Sequence, residues 1–248
     1  MSEEDLEVVE DLFGKKSLRY YKTGNDSDLK LELDNERTMS DFPVSYYVDH
    51  DKLRDLEKEF LEYAKGKILD VGAGSGRICK IMEEKGHEAI GVEKSAGMVE
   101  IMRDRGFKVY QIDVNKELPD EQFDTAIMYG NGFGMPGKIE NIESLLERLK
   151  EVMSEDAIII AESNDYRKMK KDLDKEYQER NRELGRYEGQ RVWRHRVGNR
   201  VSPYFKWVQV SVPDMKKIAE KTGWEILEKP VYEEDSQWGA YFFALRAG

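Results

Sequence analysis

Three glycines and three carboxylates in the first half of this chain are spaced to grip a nucleotide-like ligand. Residues 67–77 read Lys-Ile-Leu-Asp-Val-Gly-Ala-Gly-Ser-Gly-Arg, a short apolar strand running into a glycine-rich turn that opens a helix. Gly72, Gly74 and Gly76 let the backbone turn tightly and bring its N–H groups against a ligand, where side chains would block the approach. Asp70 stands two places before the first glycine. The glycines fall as G-x-G-x-G, one residue short of the G-x-G-x-x-G dinucleotide fingerprint. Glu93 follows Asp70 by 23 positions, at the end of a second apolar strand, Ala89-Ile90-Gly91-Val92. A carboxylate there can accept from both hydroxyls of a ribose. A third strand over 108–112 ends at Asp113, and a fourth over 123–128 ends at Tyr129-Gly130-Asn131-Gly132. Each carboxylate also has a plainer reading, since a polar residue ending a strand often caps a helix or turns the chain. Asp70 could equally fix the turn.

These residues resemble the class I (Rossmann-like) S-adenosylmethionine-dependent methyltransferases. Leu69-Asp70-Val71-Gly72-Ala73-Gly74-Ser75-Gly76 looks like the family's first motif, Gly91-Val92-Glu93 its second and Gln111-Ile112-Asp113-Val114 its third. The resemblance covers roughly residues 65–165 and, weakly, the last 35. It implies S-adenosyl-L-methionine as cofactor and S-adenosyl-L-homocysteine as product. It further implies that the backbone around Gly72, Ala73 and Gly74 lies against the methionine part and that Asp70 orients its amino group, directly or through water. Glu93 would take the ribose, Asp113 and Val114 the adenine edge, and Met98 the adenine face. Gly76, Lys94, Tyr129, Gly130 and Tyr47 complete the implied cofactor contacts.

The elements that must position these residues follow from periodicity. Helical spacing at Ile139, Ile142, Leu145, Leu146, Leu149 and Val152 precedes a fifth buried strand, 157–161, that ends at Glu162-Ser163-Asn164-Asp165. Alternating strands and helices require a parallel sheet covered on both faces. The expected fold is therefore α/β, doubly wound, with a mostly parallel seven-stranded sheet, helices on both faces, an N-terminal cap and a small α/β insertion after strand 5. Residues 65–165 and 213–248 form the expected core, closed by a helix at Met215, Ile218 and Ala219 and by strands over 224–227 and 240–245. Residues 1–64 form an arm with little regular pattern until Leu53, Leu56, Phe60, Leu61 and Ala64, which share one helix face. Residues 166–212 interrupt the repeat with a charged helix and two strand-like runs, 191–197 and 204–210, a hairpin that could lie over the site as a lid.

In an in-line displacement from a sulfonium the enzyme mainly positions a nucleophile, and a dedicated base is optional. The acceptor is expected to be an O, N or C nucleophile of a small molecule. Strand alternation puts Arg191, Trp193 and His195 on one face of the hairpin and Val192, Arg194 and Arg196 on the other. Arg191 and Trp193 could hold an anionic or aromatic group, with Asn131 and Tyr166 beside them; a solvated basic face is the alternative. His50 and His195 are the histidines able to act as a general base, with Asn131 and Tyr46 as further catalytic candidates. His87 reads as structural, and Tyr46 and Tyr47 serve equally well as packing residues of the arm. The fourth-strand loop lacks the Asn/Asp-Pro-Pro-Tyr/Phe sequence of enzymes that methylate exocyclic base amines or glutamine amides.

Composition bounds the alternatives. A formal charge of −11 argues against a protein whose main task is to grip nucleic acid. Charge is uneven, however: residues 1–64 carry 18 Asp/Glu against 9 Lys/Arg, and residues 166–200 carry 12 Lys/Arg against 6 Asp/Glu. A protein or RNA acceptor docked on the basic insertion is thus the second reading, and an NAD-type oxidoreductase or non-catalytic nucleotide-binding module the third. No apolar run is long enough to span a membrane and the acidic start lacks the pattern of a signal peptide, so a cytoplasmic location is expected. Cys79 is alone, so neither a disulfide within the chain nor a cysteine metal cluster is expected. No sustained heptad identifies an oligomer interface.

Overall fold

The computed structural model describes residues 6–49 and 52–248. The chain begins with β1 (Glu7–Val8) and α1 (Leu12–Thr23), then a hairpin of β2 (Asp28–Leu33) and β3 (Thr38–Pro43), α2 (Ser45–Asp49) and α3 (Asp55–Leu61). The alternating part comprises β4 (Ile68–Val71), α4 (Arg77–Glu84), β5 (Ala89–Glu93), α5 (Ala96–Asp104), β6 (Lys108–Gln111), β7 (Phe123–Met128), α6 (Ile139–Val152) and β8 (Met153–Asn164). The insertion contributes α7 (Asp172–Glu183), β9 (Gln190–Val197), β10 (Arg200–Val201) and β11 (Phe205–Val208). The chain closes with α8 (Val212–Lys221), β12 (Trp224–Tyr232) and β13 (Ala240–Ala247).

The larger sheet among the described residues has seven strands in the order β12-β13-β8-β7-β4-β5-β6. β4 to β8 are parallel, and β13 runs antiparallel to both β8 and β12. Strands covered on both faces read as continuous apolar runs, and all four residues of β4 are buried. Alternation divides them between two cores. Leu69, Val71, Ile90 and Ile159 pack with Leu145 and Leu149 of α6 and Ile218 of α8, while Ile68, Ile127 and Ile160 pack with Phe60 of α3 and Ile78 and Met82 of α4. Strand order reverses at β4, with β5 on one side and β7 on the other, which opens a crevice at the strands' carboxyl ends. β8 is longer than the apolar run suggests because α6 passes straight into it at Met153.

The arm differs from the irregular segment expected before Leu53. α1 packs on α5 through glycines: a Cβ on Gly14 would lie 2.1 Å from Ser95 Oγ, and one on Gly97 would lie 2.2 Å from the Gly14 backbone. A contact made by absent side chains leaves no hydrophobic periodicity to read. Leu29, Leu31 and Leu33 alternate along β2, and this strand does not stay with the arm. It pairs antiparallel with β9, placing Leu31 opposite His195 and Leu33 opposite Trp193. A second, six-stranded sheet results, β1-β10-β9-β2-β3 with β11 also on β9, so arm and insertion form one sheet.

Candidate functional site

The turn after β4 has the backbone that its sequence demands. Gly72, Gly74 and Gly76 all have positive φ, at 75°, 56° and 88°, a region that side chains disfavour. At Gly76 a Cβ would strike Phe107 at 2.7 Å, whereas at Gly74 it would meet nothing within 4 Å. Gly76 is thus a packing glycine, and Gly74 opens onto space. The N–H groups of Gly72 and Ala73 are used internally, both donating to Val92 O. The Gly74 N–H donates to Glu93 Oε2 at 2.9 Å, and Ser95 N–H donates to Glu93 Oε1 at 2.8 Å. Burial pushes the Glu93 carboxyl up, against the pull of these N–H groups. Asp70 is buried beneath the turn, 3.6 Å from the Cys79 thiol, and burial pushes it up to about 7.

The remaining strand ends continue this rim. Asp113 accepts from Lys94 Nζ at 3.0 Å and from Asn115 N–H; burial opposes its ionisation, but these bonds hold it below the usual range. Val114 is buried, and its carbonyl accepts from Arg148. Met98 is buried among Leu29, Val44 and Val48 beneath the arm. The Tyr129 hydroxyl donates to Glu57 O, and burial pushes its pKa far up. Gly130, at φ 67°, also opens onto space, and its N–H donates to Glu162 Oε2. Asn131 adopts φ 58°; its Oδ1 accepts from Ser163 Oγ and Asn164 N–H, leaving the amide nitrogen as the remaining polar group of that side chain.

The arm and the insertion are fastened to this rim at three places. Ser75 Oγ donates to Tyr47 O and Val48 O, and Arg105 joins Ser75 O to Val48 O, which seats α2 on the glycine turn. Asp11, itself in left-handed conformation, caps α1 at Gly14 and accepts from Ser95 Oγ and Gly97 N–H at the start of α5. Trp207 Nε1 donates to Asn131 O at 2.9 Å. Cross-strand pairing puts Trp207 on the same face as Arg191, and Phe205 on the same face as Trp193. The face bearing Arg191, Trp193 and His195 therefore looks towards the rim. His195 stacks on Phe13 at 5.1 Å and lies tilted against Phe205 at 4.9 Å, and burial pulls its pKa down to about 4. Tyr47 lies edge-on to Phe13, and burial raises it to about 12; Tyr46 is exposed. Tyr166 packs edge-on to Tyr187, and Arg191 is fully buried over the Tyr177 ring. His50 lies outside the described residues.

The basic insertion and the acidic arm neutralise each other. Arg194 and Arg196 pair with Glu32, Arg180 and Arg186 with Asp34, Arg200 with Glu7, and Glu176 with Arg37. Behind the rim, Arg54 joins Glu57, Glu162 and Glu233, and Arg77 also holds Glu57. Burial works against the Glu57 charge, yet the two guanidiniums bring its pKa down to about 2. Asp11, Trp207 and Arg54 escape reading from sequence. Asp11 carries a weak signal as a capping residue before an apolar pair, and Trp207 is legible only once the hairpin register is known.

A family model described as a methyltransferase domain matches residues 62–231. The fold is similar to that of an S-adenosylmethionine-dependent methyltransferase from Bacteroides fragilis, crystallised with S-adenosyl-L-homocysteine. The TM-score is 0.78 at 23% identity, over 99% of this chain and 100% of that one. A SAM-dependent methyltransferase from Methanosarcina mazei gives 0.64 at 13% identity over 79% and 98% of the two chains. The CcbJ methyltransferase from Streptomyces caelestis gives 0.58 at 13% identity over 77% and 87%. No curated protein matches the sequence.

Proposed function

This chain belongs to the methyltransferase-domain family, and we propose that it transfers a methyl group from S-adenosylmethionine to an O, N or C nucleophile of a small molecule held beneath the lid sheet. When bound, the cofactor supplies a methyl on a sulfonium that a nucleophile displaces in line. The observation carrying this reading is the open space above Gly74 beside the Glu93 carboxylate, a cradle that any Cβ would enter. The residues fit an adenosyl group chemically. Glu93, with one lone pair on each oxygen fixed by a backbone N–H, keeps the others for two ribose hydroxyls. Asp113 and Val114 would hold the adenine edge, and the backbone of Gly72, Ala73 and Gly74, with Asp70 beneath it, the methionine part. Tyr47 and the aromatic face of the lid would exclude water from the rim, and Asn131 would orient the acceptor.

Charge pairing favours a small acceptor over RNA, because Arg180, Arg186, Arg194 and Arg196 of the insertion are already paired with the arm carboxylates Asp34 and Glu32. Calorimetric titration with S-adenosylhomocysteine and with NAD tests the donor. Micromolar binding of the first and none of the second is expected; no binding of S-adenosylhomocysteine defeats the proposal. A steep salt dependence of binding to RNA would favour the macromolecular alternative.

A further inference from the structure

Away from the glycine turn, α1 carries a cationic side that methyl transfer does not use. Leu12, Lys15, Lys16 and Arg19 are spaced i, i+3, i+4 and i+7, so their side chains share one face of the helix. That face turns towards β1 and β10. Together with Glu7, Val9 and Arg200 it lines a cleft of about 240 Å³. Leu12 is buried and Val9 and Lys16 are half-buried, whereas Lys15, Arg19 and Arg200 are exposed, so the cleft has an apolar base and stays open to a solute.

Four cations thus line one small space with a single carboxylate, Glu7. That carboxylate is already engaged. Arg200 Nε donates to Glu7 Oε2 at 2.8 Å, which leaves the two terminal nitrogens of the guanidinium for another acceptor. Lys15, Lys16 and Arg19 form no ion pair and no side-chain hydrogen bond among the described residues. Scarcity of acids does not explain this, since residues 1–64 carry 18 Asp/Glu against 9 Lys/Arg. Elsewhere in the arm Lys22 pairs with Glu100, Lys30 with Asp41 and Arg37 with Glu176.

Like charges gathered in this way repel one another. Burial first, then Arg200 and Arg19, draw the Lys16 ammonium below the usual lysine range, with Glu7 opposing them. An anion carrying two or more charges relieves that repulsion, and phosphate oxygens suit both the ammonium groups and the forked guanidiniums. A monocarboxylate would answer only one of the cations. A long polyanion would also meet the rest of a chain whose formal charge is −11.

We propose that the cleft between α1 and β10 binds a small, multiply charged phosphate compound through Lys15, Lys16, Arg19 and Arg200. Bound there, the anion ties the arm to the insertion. The test titrates the full chain with inorganic pyrophosphate, inorganic phosphate and acetate by calorimetry, at low and at physiological ionic strength. Saturable binding of pyrophosphate is expected, tighter than phosphate by about tenfold, with no measurable binding of acetate. Lys16→Gln and Arg19→Gln should each weaken pyrophosphate by about tenfold, and Lys216→Gln on α8, outside the cleft, should leave it unchanged. If Lys16→Gln does not fold, the exposed Arg19→Gln decides. No saturable binding, acetate as tight as pyrophosphate, indifferent cleft variants, or an equal loss in Lys216→Gln each overturn the proposal. A short RNA that binds more tightly than pyrophosphate, with a steep salt dependence, overturns it too and makes the face a nucleic-acid contact. S-adenosylmethionine plays no part in these titrations, so the cleft stands or falls apart from methyl transfer.

Discussion

The backbone N–H of Gly74 donates to Glu93 Oε2 at 2.9 Å, and this contact ties the glycine turn after β4 to the acidic end of β5. With Ser95 N–H on the other oxygen, the carboxylate is oriented before any ligand arrives. A preset acceptor pair loses little freedom on binding.

Glu93→Ala removes both acceptors and should weaken S-adenosylhomocysteine binding by about 100-fold, as expected for two hydrogen bonds to a charged group. Gly74→Val places a branched side chain at φ 56° in the space left for the ligand and should abolish binding. Calorimetry on both variants, with circular dichroism to confirm folding, checks the pair. Wild-type affinity in both would refute the site.

Asp70 and Glu57 give opposite pH dependences. The Asp70 carboxyl is raised to about 7, so its contribution to stability is full below its unfolded pKa of 3.8 and fades as pH rises through 7. Asp70→Asn should therefore lose less stability than the parent between pH 5.5 and 8, by about 2 kcal/mol in urea unfolding. A cationic ligand near Asp70 draws its pKa back down, so cofactor binding near pH 6 should release a proton. Calorimetry in buffers of different ionisation enthalpy measures that proton.

Glu57 is held down to about 2, so its contribution is present above its unfolded value of 4.5 and disappears as pH falls towards 2. Glu57→Gln leaves Arg54 and Arg77 without their shared carboxylate and should cost about 3 kcal/mol at neutral pH. Denaturant melts at pH 7 report it directly. A change under about 0.5 kcal/mol would place the network at the surface energetically.

Glu32→Ala loosens the arm on the insertion at one point, since Arg194 and Arg196 both pair with that carboxylate. Hydrogen exchange should quicken most in β2 and β9 and least in β4 to β8, because Leu33 packs with Met39 and Tyr177 in a cluster apart from the one that holds Leu69 and Ile159. Uniform protection loss across both sheets would contradict this.

His195→Phe replaces a neutral, half-buried imidazole with a ring that preserves the contacts with Phe13 and Phe205. Thermal stability should hold or rise. The parent's pH–rate profile should lack a limb near 6.5, because the imidazole is held at about 4. A limb at 6.5 that disappears in the variant would assign His195 as a base after all.

The sequence made the turn at residues 72–76 and the acid at Glu93 legible because their chemistry is local: a strand, three glycines and one carboxylate at a strand end. The seven-stranded sheet followed from apolar runs for the same reason. The lid resisted reading. Its inner helix contact is made by Gly14 and Gly97, which have no side chains to count. The position of Trp207 depends on hairpin register, and Asp174 meets Arg191 only after α7 folds back on β9. The alternation of Leu29, Leu31 and Leu33 went unread in the polar arm, and nothing in it names β9 as partner.

Leu33 and Trp193 face each other across about 160 residues of chain. During synthesis β2 emerges long before β9 exists, so it waits with an open edge while the parallel core is made. Pairing across such a span carries a loop-closure penalty that a finished core reduces by bringing the ends together. The second sheet can therefore close only after β4 to β8 have all been made.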